Sequence, residues 1–172
     1  MSAHRLIVSN LPSARAGLLA ILCLLIVLPD TASAAPPECR IDVKPVNFGV
    51  YVPGSLTDVD ANGEIRVRCG GKDKKGKKGG SSSYTLRIDG GQTGNPASRA
   101  MRSGAVNLFY NLFSDVTRFV IWGDGSAGTS PVTQVIEGRK YDKRHAVYGR
   151  VFAGQYPDTG SYADAPLVTI EF

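Results

Sequence analysis

Apolar and polar residues alternate along most of the chain after residue 38, and this period of two constrains the fold more than any other feature. At the C terminus Val168, Ile170 and Phe172 share one side of such a segment, with Thr169 and Glu171 on the other. Further alternating or apolar-aromatic runs occupy residues 40–43, 64–69, 84–89, 108–113, 119–122 and 146–152. Runs of this kind, bounded by Gly, Pro, Asn and Asp clusters, indicate β-strands. We predict about seven or eight strands in an all-β, antiparallel sandwich.

The composition argues against a helical bundle and against an enzyme that relies on histidine. The 172 residues include 20 Gly and 10 Pro, which would interrupt helices repeatedly. No window of about eleven residues keeps the i, i+3, i+4 apolar spacing of an amphipathic helix. The chain has 2 His, and one of them is His4, close to the N terminus.

The first 34 residues have the layout of an export signal. Arg5 and Arg15 precede an apolar run at residues 17–28. Ala32-Ser33-Ala34 then gives the small-residue pattern that signal peptidase reads. Twelve apolar residues are too few to cross roughly 30 Å of hydrocarbon as a helix. We predict a cleaved signal peptide at 1–34 and an exported single domain at 35–172, without a transmembrane span.

Two cysteines, Cys39 and Cys69, remain after this cleavage. In an exported chain an even number of cysteines favours a disulfide, although two separate thiols are the alternative. A bridge between Cys39 and Cys69 would stabilise the fold by roughly 3–4 kcal/mol, because it closes a loop in the unfolded chain. No CxxC motif and no His pair accompanies the cysteines, so we predict no metal site.

A basic segment at residues 70–83 interrupts the strand pattern. Its sequence, GGKDKKGKKGGSSS, has nothing apolar to bury and predicts a mobile hairpin loop. Five lysines and one aspartate give it a charge of +4, which equals the whole excess of residues 35–172. The lysines are Lys72, Lys74, Lys75, Lys77 and Lys78.

This segment has two interpretations. It could dock an anionic polymer such as an acidic polysaccharide, or it could be a solvated insertion that keeps the protein soluble. No aromatic residue interleaves the lysines, as a platform for single-stranded nucleic acid would require, and we predict no nucleic-acid partner.

The residues give no positive evidence for catalysis or for a cofactor. His145 lies at the start of a predicted strand, and we expect it to be an exposed side chain at a strand edge. The loop at 123–128 lacks the GK[ST] ending of a phosphate-binding loop. Carboxylates that a glycosidase could pair all lie in turn-like segments, where Asp caps local backbone: Asp115, Asp124, Asp158 and Asp164.

Several local patterns together resemble the spore coat protein U domain family. Residues 108–115, LFYNLFSD, resemble its "LxYNLYxD" segment, and GRVFAGQ at 149–155 with GSYAD at 160–164 resembles its "GxIxxGQ…GxYxD" stretch. The ending VTIEF resembles its "VTVxF". The remaining landmarks are Cys39, residues 47–51, Cys69 and residues 99–101, so the resemblance runs from about 38 to 172.

The family includes subunits of archaic, Csu-type chaperone–usher pili of Gram-negative bacteria and some spore coat proteins. The resemblance implies an immunoglobulin-like sandwich that lacks its last strand. A periplasmic chaperone fills the resulting groove first, and a strand from a neighbouring subunit then replaces it at the outer-membrane usher. We expect Val168, Ile170 and Phe172 to face this groove, and the Phe172 carboxylate to be held by the chaperone.

One departure concerns the N terminus. Subunits that polymerise carry a donor segment of roughly a dozen residues before the first cysteine, whereas cleavage before Ala35 would leave four residues, two of them proline. We therefore expect a terminal or minor subunit, involved in adhesion or biofilm formation, that accepts a donor strand and gives none. The alternatives are a secreted module that binds anionic surface polysaccharide through its lysines, and a secreted hydrolase.

Overall fold

The computed structural model describes residues 39–70, 82–136 and 140–172. The predicted signal peptide at 1–34 and the five lysines of the basic segment lie outside these ranges. All described residues belong to one compact unit, Ala35–Phe172. No described helix is long and apolar enough to cross a membrane.

Within these ranges eight strands form two antiparallel sheets, which confirms the all-β sandwich. A five-stranded sheet has the order β1-β2-β7-β5-β4, and a three-stranded sheet has the order β6-β3-β8. The strands are β1 Cys39–Lys44, β2 Val59–Gly70, β3 Ser82–Ile88, β4 Arg99–Ser103, β5 Val106–Phe113, β6 Val132–Ile136, β7 Lys140–Val151 and β8 Val168–Glu171.

The predicted disulfide is confirmed, and it joins the first two strands. Cys39 and Cys69 are register partners at the end of the β1–β2 pair and are bonded to each other. The bridge therefore fixes the edge strand β1 to β2, which itself pairs with β7 over its full length.

The core lies between the sheets and follows from the strand alternation. On β2, for example, Ile65, Val67 and Cys69 are buried, whereas Arg68 between the last two is exposed. The same parity holds along β3 and β7, so that apolar side chains from both sheets meet. The most buried members are Ile65, Val67, Tyr84, Leu86, Ile88, Trp122 and Val151.

Two expectations about local structure are wrong. The strands on either side of the basic segment, β2 and β3, belong to different sheets and form no hairpin, and Gly70, Ser82 and Ser83 are already strand residues. Residues 71–81 lie outside the described residues. The apolar run at 119–122 forms no strand, only isolated bridges at Ile121 and Trp122. The sequence patterns did not predict β4 and β6.

Candidate functional site

An open apolar cavity of about 440 Å³ lies where the end of β1 approaches the start of β8. Both strands are at sheet edges, one in each sheet. Val43 faces the inner side of β1, opposite buried Ile65, yet its side chain is 54% exposed because the cavity leaves it uncovered. The other apolar lining residues include Val46, Phe48, Ile88, Met101, Leu112, Val147, Tyr162, Pro166 and Val168.

The first border of this cavity is the free edge of β8. Within the described residues β8 pairs only with β3. The Asp89 N–H donates to the Leu167 carbonyl at 3.1 Å, so Leu167 and Thr169 turn their backbone groups toward β3. Backbone direction alternates in an antiparallel pair, and the N–H and C=O groups of Val168 and Ile170 therefore point away from β3, toward the open side.

The second border is the segment at 45–51, which follows β1. Val46 and Phe48 turn inward and pack against the core, and the Phe48 ring meets Tyr110 edge-on with centroids 5.8 Å apart. Among the described residues, this segment makes no backbone–backbone hydrogen bond. The Gly49 N–H donates to Asn47 Oδ1 instead. The segment thus keeps backbone donors and acceptors without backbone partners beside an apolar cavity, a combination that invites strand addition.

Two glycines make room for this second border. A Cβ on Gly149 of β7 would lie 2.7 Å from the Phe48 ring and 2.7 Å from a Val46 methyl carbon. A Cβ on Gly63 of β2 would lie 2.6 Å from the Lys44 carbonyl oxygen. Residues 45–48 can therefore lie against the inner face of β2 and β7 only because these two positions lack side chains.

Asp164 fixes the chain that leads into β8. One carboxylate oxygen accepts the Tyr110 hydroxyl at 2.8 Å, and the other accepts the N–H groups of Gln92 and Ala165. Burial, together with the bond to Asp164, raises the pKa of Tyr110 above its usual range, so the phenol remains a donor. This arrangement holds residues 162–166 as the end wall of the cavity.

Arg99 anchors β3, the strand on which β8 rests. Its side chain is fully buried, and it donates to the carbonyl oxygens of Ile88, Asp89 and Trp122 at 2.9 Å and to Asn111 Oδ1 at 2.6 Å. Burial lowers the pKa of the guanidinium. Every buried side-chain nitrogen or oxygen in the described residues has a hydrogen-bond partner. The hydrogen bonds of Arg99 therefore account for its burial as a structural residue.

His145 is not the exposed edge residue that we expected. It is 9% exposed, lies in the middle of β7, and its Nε2 is 2.6 Å from the Tyr84 hydroxyl on β3. It shares strand parity with buried Val147 and Val151, which is the sequence signal for an inward side chain. Burial lowers the pKa of His145. The pair links the two sheets through the core.

The residues predicted to face the groove take three different positions. Val168 lines the cavity. Ile170 packs against the core farther along β8, and Phe172 is 54% exposed, with its ring 6.3 Å from that of Tyr84. The described residues contain no group of His, Cys, Asp and Glu side chains arranged to hold a metal ion.

Sequence reasoning missed the segment at 45–51 and the residues that position it. Val46 and Phe48 alternate with polar residues, which is the signal for inward side chains, but the run entered the sequence analysis only as the landmark at 47–51. Gly149 lies within the predicted strand at 146–152, and Gly63 directly precedes the predicted strand at 64–69. In a strand a glycine often marks the close approach of another part of the chain.

Comparisons with known proteins agree with this architecture. The sequence model of the Spore Coat Protein U domain matches residues 26–169. Protein U of Myxococcus xanthus is 32% identical over 134 residues, covering 74% of this chain and 71% of its own length.

A solved structure has a similar fold. It is the chaperone–tip adhesion subunit pre-assembly complex, CsuC–CsuE, from archaic chaperone–usher Csu pili of Acinetobacter baumannii. The TM-score is 0.52 at 24% identity, covering 80% of this chain and 40% of that one. From the extent of the family match and the identity to Protein U, the chain belongs to the spore coat protein U domain family.

Proposed function

We propose that this protein is a non-enzymatic structural subunit of a pilus or spore-coat-like assembly on the cell surface, completed by a strand that a partner inserts. The observation that carries the proposal is the pair of unpaired backbone edges, β8 and residues 45–51, on either side of an apolar cavity of about 440 Å³. An inserted strand would satisfy both edges and cover the exposed inner side of Val43 at the same time.

The energetics favour such an insertion. Each backbone hydrogen bond to Val168 or Ile170 contributes a net ~0.5–1.5 kcal/mol. Alternate side chains of the inserted strand would enter the cavity, and each fully buried aliphatic side chain adds ~1.5–3 kcal/mol. The partners that follow from this mode are a periplasmic chaperone, an outer-membrane usher and neighbouring subunits.

The position in the assembly is terminal or minor, with a role in adhesion or biofilm formation. The similarity in fold to a complex of a chaperone with a tip adhesion subunit supports this position. The route is export through the predicted signal peptide into the periplasm and then to the surface of a Gram-negative bacterium.

The test is periplasmic expression with and without a pilus chaperone of the archaic type. We expect a one-to-one complex and a higher soluble yield when the chaperone is present. Val168→Asp places a charge in the cavity and should abolish capture, whereas Thr169→Asp, on the opposite face of the same strand, should preserve it. If the chaperone captures both variants equally, it does not bind in the cavity.

A second candidate function is a secreted module that binds anionic surface polysaccharide through Lys72, Lys74, Lys75, Lys77 and Lys78. The end of β2, where the lysine segment begins, supports this candidate function. Gly70, the last residue of β2, lies two positions from Arg68 and borders the same surface pocket as Arg40. Deleting residues 71–80 should abolish salt-sensitive retention on heparin and leave chaperone capture unchanged. Retention equal to that of the intact chain would refute this candidate.

A further inference from the structure

The end of the five-stranded sheet that carries the disulfide has an unusual charge arrangement. Arg40 on β1 and Arg68 on β2 are exposed and directly opposite each other in the strand register. Like charges in this position destabilise a strand pair. An anion placed between the two guanidinium groups would remove that repulsion.

The neighbouring carboxylates neutralise the charge of this pair only in part. Asp42 binds Arg68, and Asp142 binds Arg66 through two hydrogen bonds. Each of these two aspartates is therefore already engaged, and no described carboxylate forms an ion pair with Arg40. The surface keeps a net positive charge where Arg40 and Arg68 meet.

A surface pocket of about 630 Å³ lies at the same place. Both arginines, Tyr141, Asp142, Gly70 and the disulfide line it. Arginine presents a planar fork that matches carboxylate and sulfate oxygens. In the sequence, Lys72 follows Gly70 by two positions.

We infer that Arg40 and Arg68 form a binding site for the sulfate or carboxylate groups of an acidic polysaccharide. The inference rests on the second candidate function, which it extends from the lysine segment to two arginines on the rigid sheet. A single-stranded nucleic acid fits the pocket less well, because bases need a series of stacking platforms, and the one aromatic residue in the lining, Tyr141, packs its ring against the core.

The test measures binding of the intact protein to heparin, as a sulfated probe, and to polygalacturonate, as a carboxylated probe, over a range of salt concentrations. We expect Arg40→Gln and Arg68→Gln each to weaken binding several-fold. Each should also lower the slope of log K against log salt by about one, as the loss of one contact to a polyanion does. Arg102→Gln is the matched control, since Arg102 is exposed on β4 and, among the described residues, its side chain is hydrogen-bonded only to Asn107. It should bind like the wild type.

A second variant separates this site from the lysine segment. In it, serine replaces Lys72, Lys74, Lys75, Lys77 and Lys78. If Arg40→Gln or Arg68→Gln, added to this five-lysine variant, lowers the affinity and the salt slope further, the arginine site is supported. If the five-lysine variant loses binding while Arg40→Gln keeps it, the arginine site is refuted and the second candidate function stands.

Two further outcomes would overturn the inference. No binding of the wild type to either polysaccharide refutes both the site and the second candidate function, without touching the strand-accepting cavity. Tighter binding of a single-stranded oligonucleotide than of heparin, at matched salt, refutes the assignment to polysaccharide.

Discussion

Gly149→Ala should destabilise the protein by pushing out the segment at 45–51. The new Cβ would lie 2.7 Å from Phe48 Cζ, 2.9 Å from Phe48 Cε1 and 2.7 Å from Val46 Cγ1. Carbon atoms do not approach this closely without repulsion, so both side chains must move away from β7. Overpacking of a well-packed core site costs ~1–3 kcal/mol. For a domain of this size that corresponds to a fall in Tm of roughly 3–10 °C.

Gly70→Ala is the control for this prediction. Gly70 is also a strand glycine, but a Cβ there would meet no atom of the described residues within 4 Å. The free energy of unfolding of Gly70→Ala should be unchanged or raised by up to ~1 kcal/mol, since alanine lowers the conformational entropy of the unfolded chain. Thermal and urea unfolding, followed by circular dichroism, measure both variants. If Gly149→Ala is as stable as Gly70→Ala, the segment does not lie against β7, and the second border of the cavity is wrong.

Three further predictions concern the core and the disulfide. Arg99→Met should lower stability by at least ~2–3 kcal/mol in urea unfolding, because it leaves three carbonyl oxygens unpaired and removes one of the two donors to Asn111 Oδ1; a loss below 1 kcal/mol would contradict this role. Burial holds the pKa of His145 below its ordinary value of 6.5, so the unfolded chain binds the proton more readily and stability should fall as the pH drops below 6.5. The slope of the unfolding free energy against pH, between pH 6.5 and 5, should flatten in His145→Gln. A slope equal to that of the wild type would show that another group titrates. Cys39→Ser combined with Cys69→Ser should lower stability by roughly 3–4 kcal/mol, and a reducing agent should then have no further effect on Tm.

The strands whose faces differ clearly in polarity could be predicted from the sequence. The alternation on β1, β2, β3 and β7 reflects one buried and one solvated face, and this contrast is strongest where apolar residues occupy every inward position. β6 lacks the contrast, because Gln134 lies on the inward side while Val135 is 50% exposed. β4 lacks it because its first buried residue is Arg99, whose partners are distant in sequence.

The run at 119–122 shows the opposite error. Its apolar residues predicted a strand, but the Asp115 carboxylate accepts the N–H groups of Phe119 and Val120 and closes a turn instead. The Thr117 hydroxyl and the Val120 and Phe119 N–H groups lower the pKa of Asp115 to about 2. Hydrogen bonds of this kind, from a side chain to nearby backbone, stabilise a turn in place of the strand that the apolar pattern predicts.

The candidate site was predictable only in part, since it depends on how distant segments meet. The resemblance implied a groove beside the last strand, and Val168 lines the cavity found there. The role of residues 45–51 depends on Gly63 and Gly149, whose effect appears only when β2 and β7 are paired and the chain returns across them.

Amide hydrogen exchange on the free protein and on its complex with a chaperone tests the central claim most directly. Strand insertion predicts new protection at Val168 and Ile170 on β8 and at Val46 and Phe48, whose amides lack backbone partners in the free subunit. The Thr169 amide, which already faces β3, should change little on binding. Protection confined to other surfaces, with these four amides exchanging as fast as before, would contradict the account.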